Sequence, residues 1–247
     1  MPTHGRFAVN ATFLGTGAAG GTPGRGCSAR RESSLLVEAG VMVLFDATTY
    51  LSEQLAGVDR LDAVLLTHAH RDAAGGVAAL GRWWRERDLA PLPLYAAPEV
   101  IAVLRERHRR LEHLRPVAVQ PGARHRVGGL VVRTVEMPHD RNPRFRTFAW
   151  RLGDLVYASD VARVEPPLER LARGARLLVI DGAMWRRSLF SHLTIDRELP
   201  RLCRWPVERI LLTQIGRTAP PHDAFARAVA ELCPRAAPAW DGMNVSL

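Results

Sequence analysis

The stretch LLTHAHRDAAGG, residues 65–76, places His68, His70 and Asp72 at every second position just past an apolar run. In extended backbone this spacing turns alternate side chains to one side, and two imidazoles with a carboxylate suit zinc, manganese or iron. The position after the aspartate, where a fourth ligand would be expected, is Ala73. Further donors follow other apolar runs: LVVRTVEMPHD delivers His139, LVYASD delivers Asp160, SLFSHLTID places His192 just before a helix capped by Thr194, and ILLTQIG ends in Gln214. One histidine after a strand means little, but four polar residues in similar strand-terminal positions can converge on one sheet edge. Surface histidines are the bland alternative for the HxHxD stretch alone, and a water-exposed neighbour of a helix cap is the alternative for His192.

The elements that would carry these residues are readable from periodicity. Short apolar, β-branched runs at NATFLG, SSLLVE, VMVLFDA, DAVLLTH, LPLYAA, LVVRTVEM, TFAWRLG, LVYASD, RLLVIDG and RILLTQI predict strands. Helical patterning falls at roughly 50–57, 74–88, 98–114, 165–173, 194–204 and 222–233. Short turns between the strands of 34–46 and of 130–158 predict antiparallel pairs. Hairpins mixed with helical crossovers imply an α/β protein of layered sheets covered by helices. The 247 residues suit one domain, 1–247, with an approximate two-half arrangement.

Composition narrows the class. Hydrophobic residues make up 47% and charged residues 24%, as in a globular chain. No apolar run approaches the roughly 20 residues a membrane helix needs, and MPTHGRFAVN lacks a signal-peptide core, so a cytoplasmic protein without a membrane partner is expected. Cys27, Cys203 and Cys233 are far apart and odd in number, which predicts buried free thiols rather than a disulfide framework or a zinc clip. The formal charge is +9 and all 34 basic residues are arginine. Their scatter favours a coding bias, with a phosphate-bearing or nucleic-acid ligand as the alternative; the cluster RERHRRLEHLR, residues 105–115, reads as a solvated helix face. GTGAAGGTPGRG has Gly15, Gly17 and Gly20 in dinucleotide-fingerprint spacing. Gly21, Pro23, Gly24 and Gly26 would break the helix such a site requires, so a structural or site-edge loop is expected.

The order of FLGTGAAGGTPGRGC, SSLLVEAGVMVLFDA, DAVLLTHAHRDAAGG, MPHD, YASD, SHLTID, LLTQIG and AWDGMNVSL resembles the metallo-β-lactamase fold superfamily, in its phosphodiesterase branch. The resemblance implies a four-layer αβ/βα sandwich of two mixed sheets flanked by helices. By position it implies His68, His70 and His139 as ligands of a first metal, Asp160 as the carboxylate shared by two metals, and Asp72 as a ligand of the second. His192 resembles the histidine that steadies a phosphate and protonates the leaving oxygen. Asp46 resembles an aspartate near the site, either supporting a histidine or capping its strand. The second metal's remaining histidines are replaced by Ala73 and Gln214, which implies one complete site and a crippled second; His222 is a weak candidate for a substitute ligand.

The expected activity is therefore hydrolysis of a phosphodiester or cyclic phosphate ester by a metal-activated water, with Asp72 holding or deprotonating that water and His192 as general acid. The expected cofactor is one divalent ion per chain, zinc or manganese, with iron as the alternative. A small anionic ester is the expected partner, and nucleic acid and a homodimer remain open. Two other readings stand beside this one: a mononuclear iron oxygenase like the superfamily's persulfide dioxygenases, and a catalytically impaired binding protein.

Overall fold

A computed structural model of the protein describes residues 8–108, 111, 113–187 and 189–247. Strands β1 (Asn10–Gly15), β2 (Ser34–Glu38), β3 (Met42–Phe45), β4 (Ala63–Leu65), β5 (Leu92–Ala96) and β6 (Leu114–Ala118) build most of one sheet. Strands β7 (Arg124–Val127), β8 (Leu130–Met137), β9 (Thr147–Leu152), β10 (Leu155–Ala158), β11 (Leu177–Asp181), β12 (Arg209–Thr213) and β13 (Ala236–Pro238) form the other. The last strand, β14 (Asn244–Ser246), returns to the first, so the orders are β14-β1-β2-β3-β4-β5-β6 and β13-β12-β11-β10-β9-β8-β7. This is the expected α/β sandwich of two mixed sheets flanked by helices.

Tight turns join the antiparallel pairs β2–β3, β7–β8 and β9–β10, and helices lie between the strands that pair in parallel. Gly40 and Gly153 supply the positive φ that the β2–β3 and β9–β10 turns require. In the first sheet the parallel steps from β3 to β6 are crossed by α1 (Leu51–Gln54), α2 (Arg71–Ala74) with α3 (Val77–Arg85), and α4 (Pro98–Arg107). In the second, α5 (Pro166–Ala172), α6 (Ile195–Leu202) and α7 (His222–Leu232) cross from β10 to β13. Strands buried on both faces need apolar residues at every position, which is why β10 and β11 read as continuous runs. Leu155, Tyr157, Leu177 and Val179 join the core that holds the first sheet. Their neighbours Val156, Ala158, Leu178 and Ile180 pack with α5, α6 and α7 in a second cluster.

Several expectations change. The helix of 98–114 ends at Arg107, and Leu114 begins the edge strand β6. Edge strands pair on one side only and tolerate proline and charge, so Pro116 in β6 and Arg124 and Arg126 in β7 hid both from an apolar-run reading. Of the arginine-rich cluster 105–115, residues 109, 110 and 112 lie outside the described residues. The helix of 74–88 shortens to α3, Val77–Arg85, and Gly75 and Gly76 separate it from the four-residue α2 that precedes it. A Cβ on Gly76 would stand 2.1 Å from the Thr48 carbonyl, so the close approach of this turn to the β3–α1 loop requires glycine. No α-helix follows Gly15, Gly17 and Gly20, as the loop's composition requires. No helix among the described residues is long and apolar enough to cross a membrane.

The cysteines also differ from expectation. Cys203 and Cys233 end α6 and α7, which pack together, and they are joined in a disulfide; Cys27 is free and exposed. Sequence spacing carries no signal of this pairing, because it is the packing of the two helices that brings their ends together. A cross-link closing a loop of this size stabilises by about 2–4 kcal/mol. Reduction is therefore expected to lower Tm by roughly 5–10 °C, and denatured, unreduced protein should titrate as one thiol per chain.

Candidate metal centre

The strands β3 and β4 of one sheet and β8, β10, β11 and β12 of the other end at a shared edge, and the candidate residues follow those ends. His68 and His70 lie just beyond β4, and Asp72 sits in the first turn of α2. His139 follows β8, Asp160 follows β10, Asp181 ends β11 and Gln214 follows β12. Three overlapping groups have donor atoms within 4.8 Å of one another: His68, His70 and His139; His139, Asp160 and His192; His68, Asp72 and Asp160. All six residues singled out from the sequence are thus brought to one place.

The hydrogen bonds on the far side of each imidazole set what its near side offers. Thr67 donates its backbone N–H and its hydroxyl to Asp46, at 2.7 and 2.9 Å. With its proton so used, the Thr67 oxygen accepts from His68 Nδ1 at 2.9 Å. His70 donates from Nε2 to Asp140 at 3.0 Å, and His139 donates from Nδ1 to the Ser191 carbonyl at 2.8 Å. Each ring consequently turns an unprotonated nitrogen inward: Nε2 of His68, Nδ1 of His70 and Nε2 of His139. Second partners of this kind fix tautomer and orientation at metal sites.

These inward atoms need a cation. His68 Nε2 is buried and has no hydrogen-bond partner among the described residues, a costly state for a polar atom. The facing nitrogens of His70 and His139 are 3.3 Å apart, a separation suited to two ligands each about 2 Å from one small dication. The imidazoles resist the proton as a substitute: burial, with the neighbouring histidines adding to it, lowers the His68 pKa to about 3 and depresses that of His70. Burial pushes the Asp46 carboxyl up, Thr67 pulls it back, and the charges of Asp160 and Asp72 push it up again. Three nitrogens and a surplus of buried carboxylate are a donor set for a divalent metal.

On the side of Ala73 the arrangement changes. Gln214 Nε2 donates to Asp72 Oδ2 and to Asp160 Oδ1, both at 2.9 Å. Ser159 donates to the other Asp160 oxygen at 2.6 Å. Gln214 is buried at φ 57° and donates its own N–H to Ser33 Oγ at 2.7 Å, so a strained backbone is held in place to aim the amide. Burial and the Asp160 charge raise the Asp72 pKa to about 6, with Gln214 working the other way.

His192 points into the same cluster and donates from Nδ1 to Asp181 Oδ2 at 2.7 Å. Asp181 is fully buried and also accepts from the backbone of Val161 and Ala183. Burial alone would lower the His192 pKa, but the Asp181 charge and hydrogen bond, with Asp160 and Asp72 beyond, raise it to about 9. A cavity of about 550 Å³ opens over these groups, with Gly20, Glu32, Thr49, Arg71 and Phe190 in its walls.

The glycine-rich loop is a wall of this cavity rather than a phosphate cradle, since the Gly20 N–H is taken by Glu32 at 2.9 Å. His222 takes no part: its Nδ1 accepts from Arg30 at 3.1 Å and its ring stacks edge-on against Trp240. Asp46 acts through Thr67, the histidine-supporting role among its two expected ones. Sequence reasoning missed Asp140, Asp181 and Thr67. Asp181 carries the same signal as Asp160, a carboxylate ending an apolar strand, and could have been found by it.

The profile of a family described as the beta-lactamase superfamily domain matches residues 35–215, and the chain belongs to that family. Over 234 residues the sequence is 28% identical to an octanoyltransferase of Porphyromonas gingivalis, covering 85% of this chain and 46% of that protein. The chain thus spans about half the length of that curated relative. Among solved structures, a diphosphatase of the PhnP family superposes with a TM-score of 0.86 at 23% identity, with 97% of each chain covered. The metallo-β-lactamase fold protein YhfI from Bacillus subtilis gives 0.82 at 19% identity, over 98% of this chain and 100% of that one. Zn²⁺-bound PqqB from Methylobacterium extorquens gives 0.78 at 21% identity, over 96% and 100%. At these identities the likeness to solved structures is one of fold.

In metal-free protein the imidazole shifts read by NMR should place the His192 titration near pH 9 and leave His68 neutral down to about pH 3. A raised pKa means that the folded state binds the His192 proton more tightly than the unfolded chain. The ion pair's stabilisation is therefore complete below about pH 6.5 and is lost as pH rises through about 9. Asp181→Asn should bring the His192 titration to about 6.5 or lower.

Proposed function

We propose that the protein is a metal-dependent hydrolase of an anionic ester, a phosphodiester or cyclic phosphate ester, working with one zinc or manganese ion per chain. The observation that carries this reading is the inward convergence of three unprotonated imidazole nitrogens, one of them an orphan, beside a histidine kept protonated by a buried aspartate. His68, His70, His139 and Asp160 would hold the ion. When bound, it supplies a Lewis acid that polarises the ester and makes a water acidic enough to attack near neutral pH.

The chain's own groups supply the proton traffic. Asp72, which burial and the Asp160 charge raise to about 6 in the metal-free protein, is the carboxylate placed to accept the proton of the attacking water. His192 delivers its proton to the leaving oxygen, and Asp181 stabilises the charged imidazole until it does so. In the balance, the water oxygen bonds to phosphorus, the bond from phosphorus to the leaving alcohol breaks, and one proton passes through each residue. Arg71 borders the cavity and complements an anionic substrate. The name of the solved diphosphatase is consistent with a phosphate ester.

Single-metal chemistry rests on Gln214. Its amide stands between Asp72 and Asp160, with one N–H for each, where a second cation would need both carboxylates free. Ala73, also buried, offers no donor.

Protein loaded with excess Mn²⁺ or Zn²⁺ and then desalted is expected to retain one equivalent by elemental analysis. Joint Ala73→His and Gln214→His substitution should raise the count towards two. The loaded wild type should hydrolyse bis(p-nitrophenyl) phosphate, and His192→Ala should lower kcat by about 10²–10⁴-fold with metal content unchanged. Retained metal without turnover of any ester in a broad panel would overturn the hydrolase, and two equivalents in the wild type would overturn the one-metal centre.

A further inference from the structure

Phe190 is 64% exposed, and it lines the catalytic cavity. Scattered exposed apolar residues are ordinary, but this one is held by the site. Ser191, the next residue, provides the carbonyl that orients His139, and His192 follows. Leu189 and His192 form an antiparallel bridge across the turn. The Arg141 guanidinium lies over the ring, 5.2 Å from its centroid, within the range of cation–π attraction. The ring is thus placed by the same short loop that carries the proton donor.

From this placement we infer that Phe190 is a stacking platform for a planar aromatic group on the leaving alcohol, a nucleoside or an aryl alcohol. The inference rests on the hydrolase reading for the identity of the leaving side. His192 protonates the leaving oxygen, so the group attached to that oxygen emerges beside the residue two positions earlier. An aliphatic chain would need a continuous apolar channel. The cavity instead offers one large apolar side chain, Phe190, among walls of Glu32, Thr49, Arg71 and Asp140. A ring with the Arg141 guanidinium over one face leaves the other face for an aromatic ring that stacks at one end of a polar, anionic molecule. At about 550 Å³ the cavity falls within the usual range for small-molecule sites.

Binding to Mn²⁺-loaded protein of phosphate monoesters that keep the leaving group attached, followed by calorimetry, tests this independently of diester turnover. Wild type should bind adenosine 5′-monophosphate about tenfold more tightly than ribose 5-phosphate, a ratio within the measured worth of base–aromatic stacking. Phe190→Ala should abolish the preference and Phe190→Trp should retain it. Phenyl phosphate against methyl phosphate forms the second arm: a Phe190-dependent preference there alone assigns an aryl group, and one confined to the nucleotide assigns a nucleoside. Equal ratios in wild type and Phe190→Ala for both pairs would overturn the platform. So would a change of oligomeric state in Phe190→Ala, which would make the ring a subunit contact. Hydrolysis with Phe190-independent binding would sink the platform alone, whereas Phe190-dependent binding without hydrolysis would sink the proposed reaction alone.

Discussion

Three imidazoles whose outer nitrogens are already committed as donors can turn only lone pairs towards one another, and that repulsion is the constraint on which the rest of the site depends. Thr67, Asp140 and the Ser191 carbonyl each take one ring proton. A proton returned to the inside would leave one pair of nitrogens still facing each other and would put charge where burial opposes it most. A dication satisfies all three at once. The fold supplies the necessary rigidity because the residues stand at the ends of strands from two sheets, where the backbone is fixed by ladders on both sides. Two of the positive-φ residues other than glycine among those described, Asp46 and Gln214, belong to this edge. Strain is thereby concentrated in the residues that aim the others.

The centre is asymmetric for a reason that can be stated in charge. On the His70 side, three inward imidazole nitrogens beside the Asp160 carboxylate leave a net demand for positive charge. On the Ala73 side, Gln214 meets the carboxylates with N–H dipoles that bring no net charge. Dipoles satisfy hydrogen-bonding capacity but neutralise less than a cation would, so Asp72 feels both its burial and Asp160 and is displaced to about 6. On the one-metal reading proposed above, the amide that fills the second cation's place would also leave Asp72 available as the base.

The sequence made the sandwich legible wherever strands are buried on both faces, as in β10 and β11, because burial there imposes an unbroken apolar run. It failed at β6 and β7, whose edge positions accept Pro116 and Arg126, and at the end of α4, where arginines continue a helical pattern past the helix. At the site, His68, His70, His139, Asp160, Asp72 and His192 were visible because chemistry-bearing side chains after apolar runs are conspicuous. Thr67 and Asp140 were not, because supporting residues are ordinary polar types whose role exists only in three dimensions. The Cys203–Cys233 pair was invisible for a similar reason: two helix ends become neighbours only after α6 and α7 have packed.

The loop from Leu189 to His192 draws these threads together. Its carbonyl at Ser191 fixes the tautomer of His139, its histidine is paired with Asp181, and its phenylalanine borders the cavity. Adjacent residues of one tight turn, closed by the Leu189–His192 bridge, cannot be repositioned independently, because a backbone shift that re-aims one moves the others. On the proposed reading, hold on the cation, placement of the general acid and fit of the leaving group would therefore be coupled through a few peptide units. A leaving group stacked on Phe190 would, on the same reading, lie beside the histidine that protonates its oxygen. Selectivity for the leaving group and proton delivery to it would then both depend on how this one loop is held.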